Sequence, residues 1–498
     1  MILPRVIIAG TNSGVGKTTL TLGIISALRK NGYSVQPFKT GPDYIDPTYH
    51  TEASGRPCAN LDTWLLPKDA VVELFRRRAE DADISVIEGV MGLYDGLKNS
   101  EQGSSSHLAK ILNSPIILIL NAHSLSRSAG AIALGYKEFD KGINIAGIIL
   151  NNIGSKNHYH YVKTAIERKA KIPVLGYLPK APALKLPQRH LGLIPLQENK
   201  LEHGFCKKLS RLVEKNINLS ALLKISRQAG PLTFNKEKIF KKIAKTKHPS
   251  NYVTIAVAQD AAFNFYYQDN LDILRHLGAK IATFSPLKDR KLPEATDGLY
   301  IGGGFPELFA LRLSKNKRLK ELIYQKAEEG LPIYAECGGL MYLVEALMDF
   351  KKRKFPMVGI FKGLVKMADR RQALGYVNVE TARDNILSKK GARIRGHVFH
   401  WSYLDPSLGP SFKGIGRAIL SGLKDRKVYP LGLEARPKEY PYAYKITKDK
   451  DKVFSDGLIK NKVLASYVHL HFASCLDLPK NFIHNCKEYR LNHAEEIK

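Results

Sequence analysis

The sequence predicts an α/β protein made of two domains, each built on a parallel sheet. Short apolar runs alternate with segments of helix length in the first part of the chain, a pattern typical of a parallel sheet covered by helices. A second set of strand-like runs starts after a basic stretch that ends near Ser250. We therefore predict a first domain at 1–225, a linker at 226–250 and a second domain at 251–498.

Each strand-like run is short and mainly apolar, which favours a buried strand. The runs of the first domain are Arg5–Ala9, Ile84–Glu88, Ile116–Asn121, Ile145–Leu150 and Ile172–Tyr177. Those of the second domain are Tyr252–Ala258, Gly298–Ile301, Pro332–Ala335 and Val463–Val468. Between the two sets, the segment Leu201–Ile225 is predicted to be a helix.

A glycine-rich loop follows the first predicted strand and ends in Gly-Lys-Thr-Thr. Its backbone N–H groups can wrap phosphate oxygens, and the helix predicted over Thr18–Lys30 presents an N-terminus that favours anions. Lys17 would reach the outer phosphates, and the Thr18 hydroxyl would bind Mg²⁺. Five residues separate Gly10 from Gly16, one more than the usual spacing. The predicted ATP-binding residues are Gly14, Val15, Gly16, Lys17, Thr18 and Thr19.

Two acidic segments accompany this loop. Gly-Pro and Asp-Pro steps mark a tight turn in Phe38–Pro47, and Glu88 ends the strand that opens Val86–Gly96. Ligands of open α/β sheets bind at the carboxyl ends of the strands, so we expect Asp43 and Glu88 to join Thr18 as Mg²⁺ ligands. Helix capping or pairing with lysines is the alternative. Further candidates, for orienting an acceptor, are Tyr44, Asp46 and Asp95.

Cys337 is the candidate nucleophile of the second domain. It follows a predicted strand and precedes two glycines and an apolar helix, and a sharp turn there would expose the sulfur at a helix N-terminus that stabilises thiolate. His469 is the candidate base, and His471, two residues later, is the competitor. Backbone N–H groups could bind an oxyanion, and the candidates are Gly303, Gly304 and Gly338. The alternative is a small, buried core cysteine.

The composition argues against several classes of protein. The five cysteines form no Cys-x-x-Cys pair, which argues against a zinc ribbon and a disulfide scaffold. We expect a cytoplasmic protein without a signal peptide or membrane span. The formal net charge is +31, but the lysines are scattered and form no basic-aromatic array. A solvated basic surface, or one that steers a polyanionic substrate, is therefore favoured over nucleic-acid binding.

These motifs together resemble the cobyrinic acid a,c-diamide synthase family, in the cobalamin branch of class I glutamine amidotransferases. The resemblance runs in order from about residue 1 to 475. It implies a P-loop, dethiobiotin-synthetase-like domain followed by a class I glutaminase-like domain. The implied reaction converts the a and c acetate carboxylates of a corrinoid into amides, with ATP and glutamine. The segments that carry it are Gly10–Thr19, Phe38–Pro47, Glu88–Gly96, Ala256–Leu271, Gly302–Glu307, Ala335–Tyr342 and Ser466–Phe472.

The resemblance also assigns roles to residues. Cys337 matches the nucleophile and His469 its partner base, while His471 stands where many class I glutaminases carry an acid, so the third group stays unassigned. The implied cofactor is Mg²⁺, and the implied partners are ATP, L-glutamine and a corrinoid, without nucleic acid or membrane. A homodimer is compatible with the sequence. Matching segments used around nucleotide, metal and acceptor supply Asp43, Tyr44, Ile45, Asp46, Glu88 and Asp95.

One segment departs from the family pattern. Arg395–Ser402 is similar to an Arg-Gly-His-Glu-Phe-His-Tyr-Ser stretch, but Val398 replaces the glutamate and Trp401 the tyrosine. Because of this difference, the alternative is that the chain is a close relative that amidates nickel sirohydrochlorin in place of a corrinoid. A partition-type ATPase switch that binds DNA is a more distant alternative, and it would need no Cys337 with His469. A regulatory protein with an inactive glutaminase domain is a third.

Overall fold

The structure is a computed structural model that divides into two compact units, Met1–Ile239 and Phe240–Lys498. Part of the predicted linker, 235–236 and 242–250, lies outside the described residues, so the predicted domain boundaries stay predictions. The described residues are 3–180, 186, 188–189, 192–196, 198, 204–234, 237–241, 252–405, 441–448 and 453–493.

The first unit contains a parallel sheet whose strands are almost entirely buried. Its strands are β1 Arg5–Gly10, β2 Val35–Thr40, β3 Ala59–Leu61, β4 Ile84–Glu88, β5 Ile116–Asn121, β6 Ile145–Ile153 and β7 Val174–Pro179, with a short ladder of β8 Gln188–Arg189 and β9 Gly192–Leu193 outside it. Within the described residues the sheet has seven strands, in the order β3-β2-β4-β1-β5-β6-β7. Because all its neighbours pair in parallel, helices connect the strands.

The helices of this unit are α1 Lys17–Lys30, α2 Asp46–Ser54, α3 Lys68–Ala79, α4 Ser105–Leu112, α5 Ser128–Phe139, α6 Lys156–Lys169, α7 Phe205–Asn216 and α8 Leu219–Arg227. Helix α1 packs its apolar face into a core shared with β1, β4, β5 and α7. Its burial places the preceding glycine-rich loop at the carboxyl end of β1.

The single helix predicted over Leu201–Ile225 is wrong, because the described part of that segment forms α7 and α8. Ile217 adopts an extended backbone (φ −124°, ψ 133°) and makes an isolated bridge with Gly176. Asn218 then caps a new helix, since its side chain accepts the N–H of Ala221 at 2.9 Å. The residues on both sides of Asn218 favour a helix, but the bridge from Ile217 to the edge strand of the sheet interrupts it.

The second unit combines parallel and antiparallel strands. Its first group is β10 Val253–Ala258, β11 Ala279–Phe284, β12 Thr296–Ile301, β13 Ile333–Glu336, β14 Val344–Met348, β15 Lys354–Pro356 and β16 Phe361–Met367. Its second group is β17 Ala373–Thr381, β18 Arg393–His400, β19 Ser402–Asp405, β20 Tyr442–Thr447, β21 Val453–Lys460, β22 Val463–Ser466 and β23 His469–Leu470. The helices are α9 Gln268–His276, α10 Ala310–Lys315, α11 Lys317–Glu328, α12 Gly338–Leu343 and α13 Asp477–Asn492.

In the described part of this unit, ten strands form one sheet in the order β11-β10-β12-β13-β22-β21-β20-β17-β18-β23. The strands from β11 to β22 pair in parallel, and the rest pair antiparallel. A second sheet has the order β15-β14-β16-β19. The α/β class with a parallel core in each unit was thus predicted correctly, whereas the antiparallel extension was not.

The register places both sets of candidate residues at carboxyl ends of neighbouring parallel strands. In the first unit Ile8 pairs with Glu88, and Glu88 with Lys39. In the second unit Ile301 pairs with Ala335, so the glycine loop after β12 and the cysteine after β13 leave the sheet side by side. None of the helices within the described residues is long and apolar enough to cross a membrane.

Candidate active sites

The glycine-rich loop of the first unit has the backbone of a phosphate cradle. Gly14 and Gly16 have positive φ values of 80° and 97°, which glycine adopts without steric cost. A Cβ atom on Gly16 would lie 2.4 Å from the Asn151 side-chain nitrogen, so the loop can close against that side chain only without one. The Asn151 amide donates to the Val15 carbonyl oxygen at 2.8 Å. The loop is therefore held in shape by β6, while Gly14 stays exposed.

Lys17 is folded back onto this loop. Its ammonium donates to the carbonyl oxygen of Asn12 at 3.1 Å and to that of Met91. Burial, and secondly the positive charge of Lys39, lower the pKa of Lys17 to about 8. A lysine held on backbone carbonyls, rather than paired directly with a carboxylate, can turn toward an anionic ligand at small cost.

The acidic candidates converge on the hydroxyl of Thr18. That hydroxyl donates to Glu88 at 2.8 Å and to Asp46 at 3.3 Å. The ammonium of Lys39 lies among the same carboxylates, 2.5 Å from Asp46, 3.0 Å from Glu88 and 3.6 Å from Asp43. Burial lowers the pKa of Lys39, but the three carboxylates outweigh it and hold that pKa well above its usual value. Thr18, Asp46 and Glu88 therefore form one hydrogen-bonded cluster with a buried cation in it.

His50 completes the cluster from the first helix turns of α2. Its Nε2 contacts the second carboxylate oxygen of Glu88. Burial raises the pKa of Glu88, but the Lys39 ammonium and the hydrogen bonds from His50 and Thr18 hold it well below its usual range. Glu88 is therefore a fixed anion at the carboxyl end of β4.

The remaining candidates of the first unit occupy the turns around this cluster. One Asp43 carboxylate oxygen accepts the N–H groups of Ile45 at 2.9 Å and Asp46 at 3.1 Å, so it organises the start of α2. Tyr44 is buried, and Ile45 is half-buried against the core. Asp95 is exposed and accepts the N–H of Gly92 at 2.9 Å. The structure thus brings Asp46 and Glu88 to Thr18, while Asp43 and Asp95 mainly shape loops.

Cys337 sits in a strained turn between β13 and α12. Its backbone has φ 48° and ψ −100°, a combination that costs free energy for a residue with a side chain. Its N–H donates to the Ser466 carbonyl oxygen at 2.7 Å, and its sulfur is 3.7 Å from the Phe399 carbonyl oxygen. A Cβ atom on Gly339 would lie 2.3 Å from the Ile301 carbonyl oxygen. The close packing of α12 on β12 fixes the turn and with it the sulfur.

His469 stands beside this turn at the start of β23. It is 1% exposed, and its Nδ1 lies 3.7 Å from a carboxylate oxygen of Glu336. Burial lowers the pKa of His469, but hydrogen-bonding interactions with the Cys337 thiol and the Glu336 carboxylate raise it to about 10. The competitor His471 lies elsewhere, 3.9 Å from Asp269. The structure therefore brings His469, and not His471, to the cysteine.

The three glycines predicted to bind an oxyanion differ in their surroundings. The Gly303 N–H donates to the Phe265 carbonyl oxygen at 3.3 Å. A Cβ atom on Gly338 would lie 3.0 Å from the backbone nitrogen of Gly304. Gly304 and Gly338 are thus the pair whose backbones meet beside Cys337, whereas Gly303 uses its N–H within the loop.

Comparison with known proteins agrees with this arrangement of two sites in one chain. A family described as "CobQ/CobB/MinD/ParA nucleotide binding domain" matches residues 6–194, and a "CobB/CobQ-like glutamine amidotransferase domain" matches residues 254–421. The cobyrinate a,c-diamide synthase of Dehalococcoides mccartyi strain CBDB1 is 43% identical over 98% of this chain and 99% of that protein. That of Caldanaerobacter subterraneus subsp. tengcongensis is 40% identical over 97% and 98%. The chain belongs to the cobyrinate a,c-diamide synthase family.

Membership of this family confirms the resemblance drawn from the sequence and the predicted order of domains, a P-loop domain before a glutaminase-like domain. The relatives give no support to the nickel sirohydrochlorin reading or to the partition-ATPase reading. The roles of the individual residues stay predictions, which the geometry above supports to different degrees.

The synthase family implies Mg²⁺ with ATP, and the donor set around Thr18 fits that ion. One hydroxyl and two carboxylates are hard oxygen ligands. The two carboxylates already contact one cation, the ammonium of Lys39, and both are hydrogen-bonded to the Thr18 hydroxyl. No group of three or more His, Cys, Asp or Glu arranged to hold a metal occurs among the described residues. Mg²⁺ with ATP usually takes only one or two carboxylates from the protein, and waters and phosphate oxygens supply its other ligands.

The segment that departs from the family pattern lies next to the glutaminase site. In the pairing of β18 with β23, His397 is opposite His469. Val398 is 1% exposed and pairs with Gly375 on β17, so an apolar side chain fills this buried position. His400 stacks on Tyr467 with ring centroids 4.0 Å apart. The segment therefore supports the wall of the glutaminase site.

Three residues with contacts in the sites were not assigned from the sequence. Lys39 and His50 bind Glu88, and Glu336 binds His469. The sequence did offer a signal for two of them, because Lys39 lies within the Phe38–Pro47 segment and Glu336 directly precedes the cysteine. Their partners, however, come from other strands, which a linear motif does not reveal.

Proposed function

We propose that this chain catalyses the ATP- and glutamine-dependent conversion of the a and c acetate carboxylates of cobyrinic acid into amides. The observation that carries the proposal is the presence in one chain of a phosphate cradle with an acidic cluster and a strained cysteine with a buried histidine partner. The names of the full-length relatives support the corrinoid as the acceptor.

The first unit would activate the acceptor. ATP binds with its phosphates on the backbone N–H groups of Gly14–Thr19, and Lys17 turns from the loop carbonyls to the outer phosphates. An acceptor carboxylate oxygen attacks the γ-phosphorus, the bond to the bridging oxygen breaks, and ADP leaves an acyl phosphate behind. Thr18, Asp46 and Glu88 would hold Mg²⁺, and Asp43 is the further carboxylate predicted to do so. When bound, the ion would supply positive charge that offsets the charge of the phosphates.

Tyr44, Ile45, Asp46 and Asp95 are proposed to orient the acceptor. Tyr44 and Ile45 lie at the start of α2, directly after the carboxylate of Asp43 that organises this turn. Asp95 is exposed at the next loop. A turn that is fixed by hydrogen bonds can present side chains to an acceptor without reorganising.

The second unit would release ammonia. The Cys337 sulfur, after loss of its proton to His469, attacks the amide carbon of glutamine, and the carbonyl electrons move onto oxygen. N–H groups of Gly304 and Gly338 stabilise this oxyanion, with Gly303 shaping the loop. Collapse of the intermediate expels ammonia, which takes its proton from His469, and water hydrolyses the thioester to glutamate. The ammonia then attacks the acyl phosphate carbon, and phosphate leaves as the amide forms.

The proposal places ATP, L-glutamine and a corrinoid together in the cytoplasm, where ATP and glutamine are supplied. It assigns no nucleic acid and no membrane as a partner, because the many lysines of this basic chain are spread over both units. A homodimer is compatible with it.

The experiment is an amidation assay with the purified chain, ATP, Mg²⁺ and glutamine, with cobyrinic acid in one series and nickel sirohydrochlorin in the other. Product mass and ADP are measured together. We expect two amides on each cobyrinic acid, with two ADP released per macrocycle. Formation of two amides on nickel sirohydrochlorin alone would show that this macrocycle, and not cobyrinic acid, is the acceptor. ATP binding without amidation of either macrocycle would overturn the proposal.

A further inference from the structure

We propose that Glu336 is the positioning residue for His469, the third member of the glutaminase site that the sequence left unassigned. One carboxylate oxygen of Glu336 lies 3.7 Å from Nδ1 of His469. This inference rests on the proposed glutaminase activity and adds to it a residue that directly precedes the nucleophile. It replaces the acid that many class I glutaminases carry two residues after the histidine, where this chain has His471.

The carboxylate of Glu336 is built into the site by hydrogen bonds. It is 1% exposed and accepts the hydroxyls of Tyr334 at 2.5 Å and Tyr300 at 3.0 Å. The two tyrosines are paired across β12 and β13 and their rings stack at 5.1 Å. A buried carboxylate with several fixed donors keeps its negative charge in a defined place.

The same carboxylate also holds the strand that bears the histidine. Its second oxygen accepts the N–H of Leu470 at 3.1 Å. Asn270 fixes the other side of this strand, since it binds the Leu470 carbonyl oxygen at 2.8 Å and the Phe472 N–H at 2.7 Å. Glu336 therefore contacts both the imidazole of His469 and the backbone next to it, which fixes the position and the orientation of the ring.

The titratable groups on the neighbouring strands carry no competing negative charge onto the ring. Burial lowers the pKa of His397 to about 3 and that of His400 to about 4, so both are neutral, and the nearby Lys448 is a cation. Burial, and secondly the charge of Glu336, raise the pKa of the Tyr300 and Tyr334 hydroxyls, so these groups stay protonated. Tyr467 also has a raised pKa, again chiefly through burial.

Two other buried acids near this strand have contacts of their own. Asp269 lies 3.9 Å from His471. Asp456, on β21, accepts the Ser466 hydroxyl at 2.7 Å and the Tyr467 N–H at 3.0 Å. Two groups contribute to raising the pKa of His469 against the effect of burial, the Cys337 thiol and the Glu336 carboxylate. The charge available to stabilise an imidazolium is therefore that of Glu336.

The chemical consequence is the choice of the reacting nitrogen. A carboxylate at Nδ1 favours the tautomer with the proton on Nδ1, which leaves the lone pair of Nε2 to accept the proton of the Cys337 thiol. Transfer of that proton gives a thiolate and an imidazolium, and the carboxylate offsets the new positive charge. Without it, the buried imidazolium would be costly.

The test is the pH dependence of Cys337 alkylation by iodoacetamide in the full chain, followed by mass spectrometry of the Cys337 peptide. The variant is E336Q, which keeps the shape and an oxygen acceptor but loses the charge. We expect the midpoint of alkylation to move to higher pH by about 1–3 pH units. We also expect glutamine hydrolysis to fall about 10²-fold, while amidation with added ammonium is kept.

The matched control is D269N, which removes the buried carboxylate beside the other histidine, His471. Its alkylation midpoint should equal that of the wild type. A folded E336Q whose midpoint and glutamine hydrolysis also equal those of the wild type would overturn the proposal. Alkylation needs no acceptor, so a wrong corrinoid assignment would leave this result intact, and the two failures can be told apart.

A second measurement uses the unaltered side chain in case E336Q does not fold. Nitrogen-15 shifts of His469, assigned by difference with H469Q, report the tautomer in the wild-type protein. Above the pKa of His469 of about 10, where the ring is neutral, we expect the remaining proton on Nδ1. A neutral ring protonated at Nε2 would contradict the role of Glu336.

Discussion

The Cε1 atom of His469 lies 2.6 Å from the position that a Cβ atom would take on Gly303, and Nε2 lies 3.4 Å from it. The imidazole therefore occupies space that exists only because the residue facing it is glycine. Its other neighbours, Cys337 and Glu336, lie on the adjacent strand end. The shape of the loop after β12 thus fixes how closely the histidine approaches the cysteine.

Gly303→Ala should consequently lower the rate of glutamine hydrolysis and leave the ATP-dependent step of the first unit unchanged. The added methyl group must displace the ring, and a displacement of about 1 Å can cost about 10²-fold in rate. We expect glutamine-dependent amidation to fall by that order, with ammonium-dependent amidation unchanged. Gly135→Ala is the control, since a Cβ atom there meets nothing within 4 Å among the described residues. Equal glutamine kinetics in the two variants would contradict this geometry.

Lys39 should stabilise the first unit as the cation among Asp43, Asp46 and Glu88. Lys39→Met leaves these buried carboxylates uncompensated, and removing one partner of a buried pair costs about 3–5 kcal/mol. We expect a lower unfolding temperature in calorimetry of the full chain, with a larger recovery on adding Mg²⁺ than in the wild type.

The control for this change is Lys30→Met, because the Lys30–Glu214 pair is exposed, with a 2.7 Å separation and half of the lysine side chain accessible. An exposed pair contributes about 0–1 kcal/mol. If both variants lowered the unfolding temperature equally, the cluster would not be held by Lys39.

Nucleotide binding should be linked to protonation of Lys17. Burial, and then Lys39, lower its pKa to about 8 in the free protein, so above that pH part of the lysine is neutral. Contact with phosphate raises the pKa again, and ATP binding at about pH 8.5 must take up protons. Calorimetric titration in two buffers of different ionisation enthalpy measures this uptake.

At about pH 6.5 Lys17 is already protonated and its share of the uptake should vanish. Binding enthalpies that do not depend on the buffer at the higher pH would show that Lys17 keeps its proton throughout and that its pKa is not lowered in the free protein.

Sequence reasoning reached the fold class and the family because these depend on local patterns. The run Ile84–Glu88 is a strand with the predicted ends, and the helix predicted from Thr18 begins at Lys17. The break at Ile217–Asn218 was missed, because it depends on a bridge to Gly176. A helix boundary that is set by contacts with residues distant in sequence cannot be predicted from helix propensity.

The same limit explains the residues that were not assigned. Asp46 was predicted to orient the acceptor, and that role stays a prediction. Its hydrogen bonds with Thr18 and Lys39 could not be predicted, because they depend on where the helix turn after Asp43 packs. Glu336 is next to the cysteine in sequence, but its role comes from His469, over a hundred positions away. Both relationships arise from the packing of strands and helices that are distant in sequence, which a linear pattern does not reveal.

One chain should couple a Cys337 glutaminase to a separate ATP-dependent amidation, and Cys337→Ala separates the two activities. The variant is assayed with cobyrinic acid and ATP, with either glutamine or ammonium as the nitrogen donor, after its circular dichroism has been matched to the wild type. We expect amidation with glutamine to be abolished while amidation with ammonium stays at the wild-type rate. Loss of both activities in the folded variant, or retention of glutamine use, would contradict it.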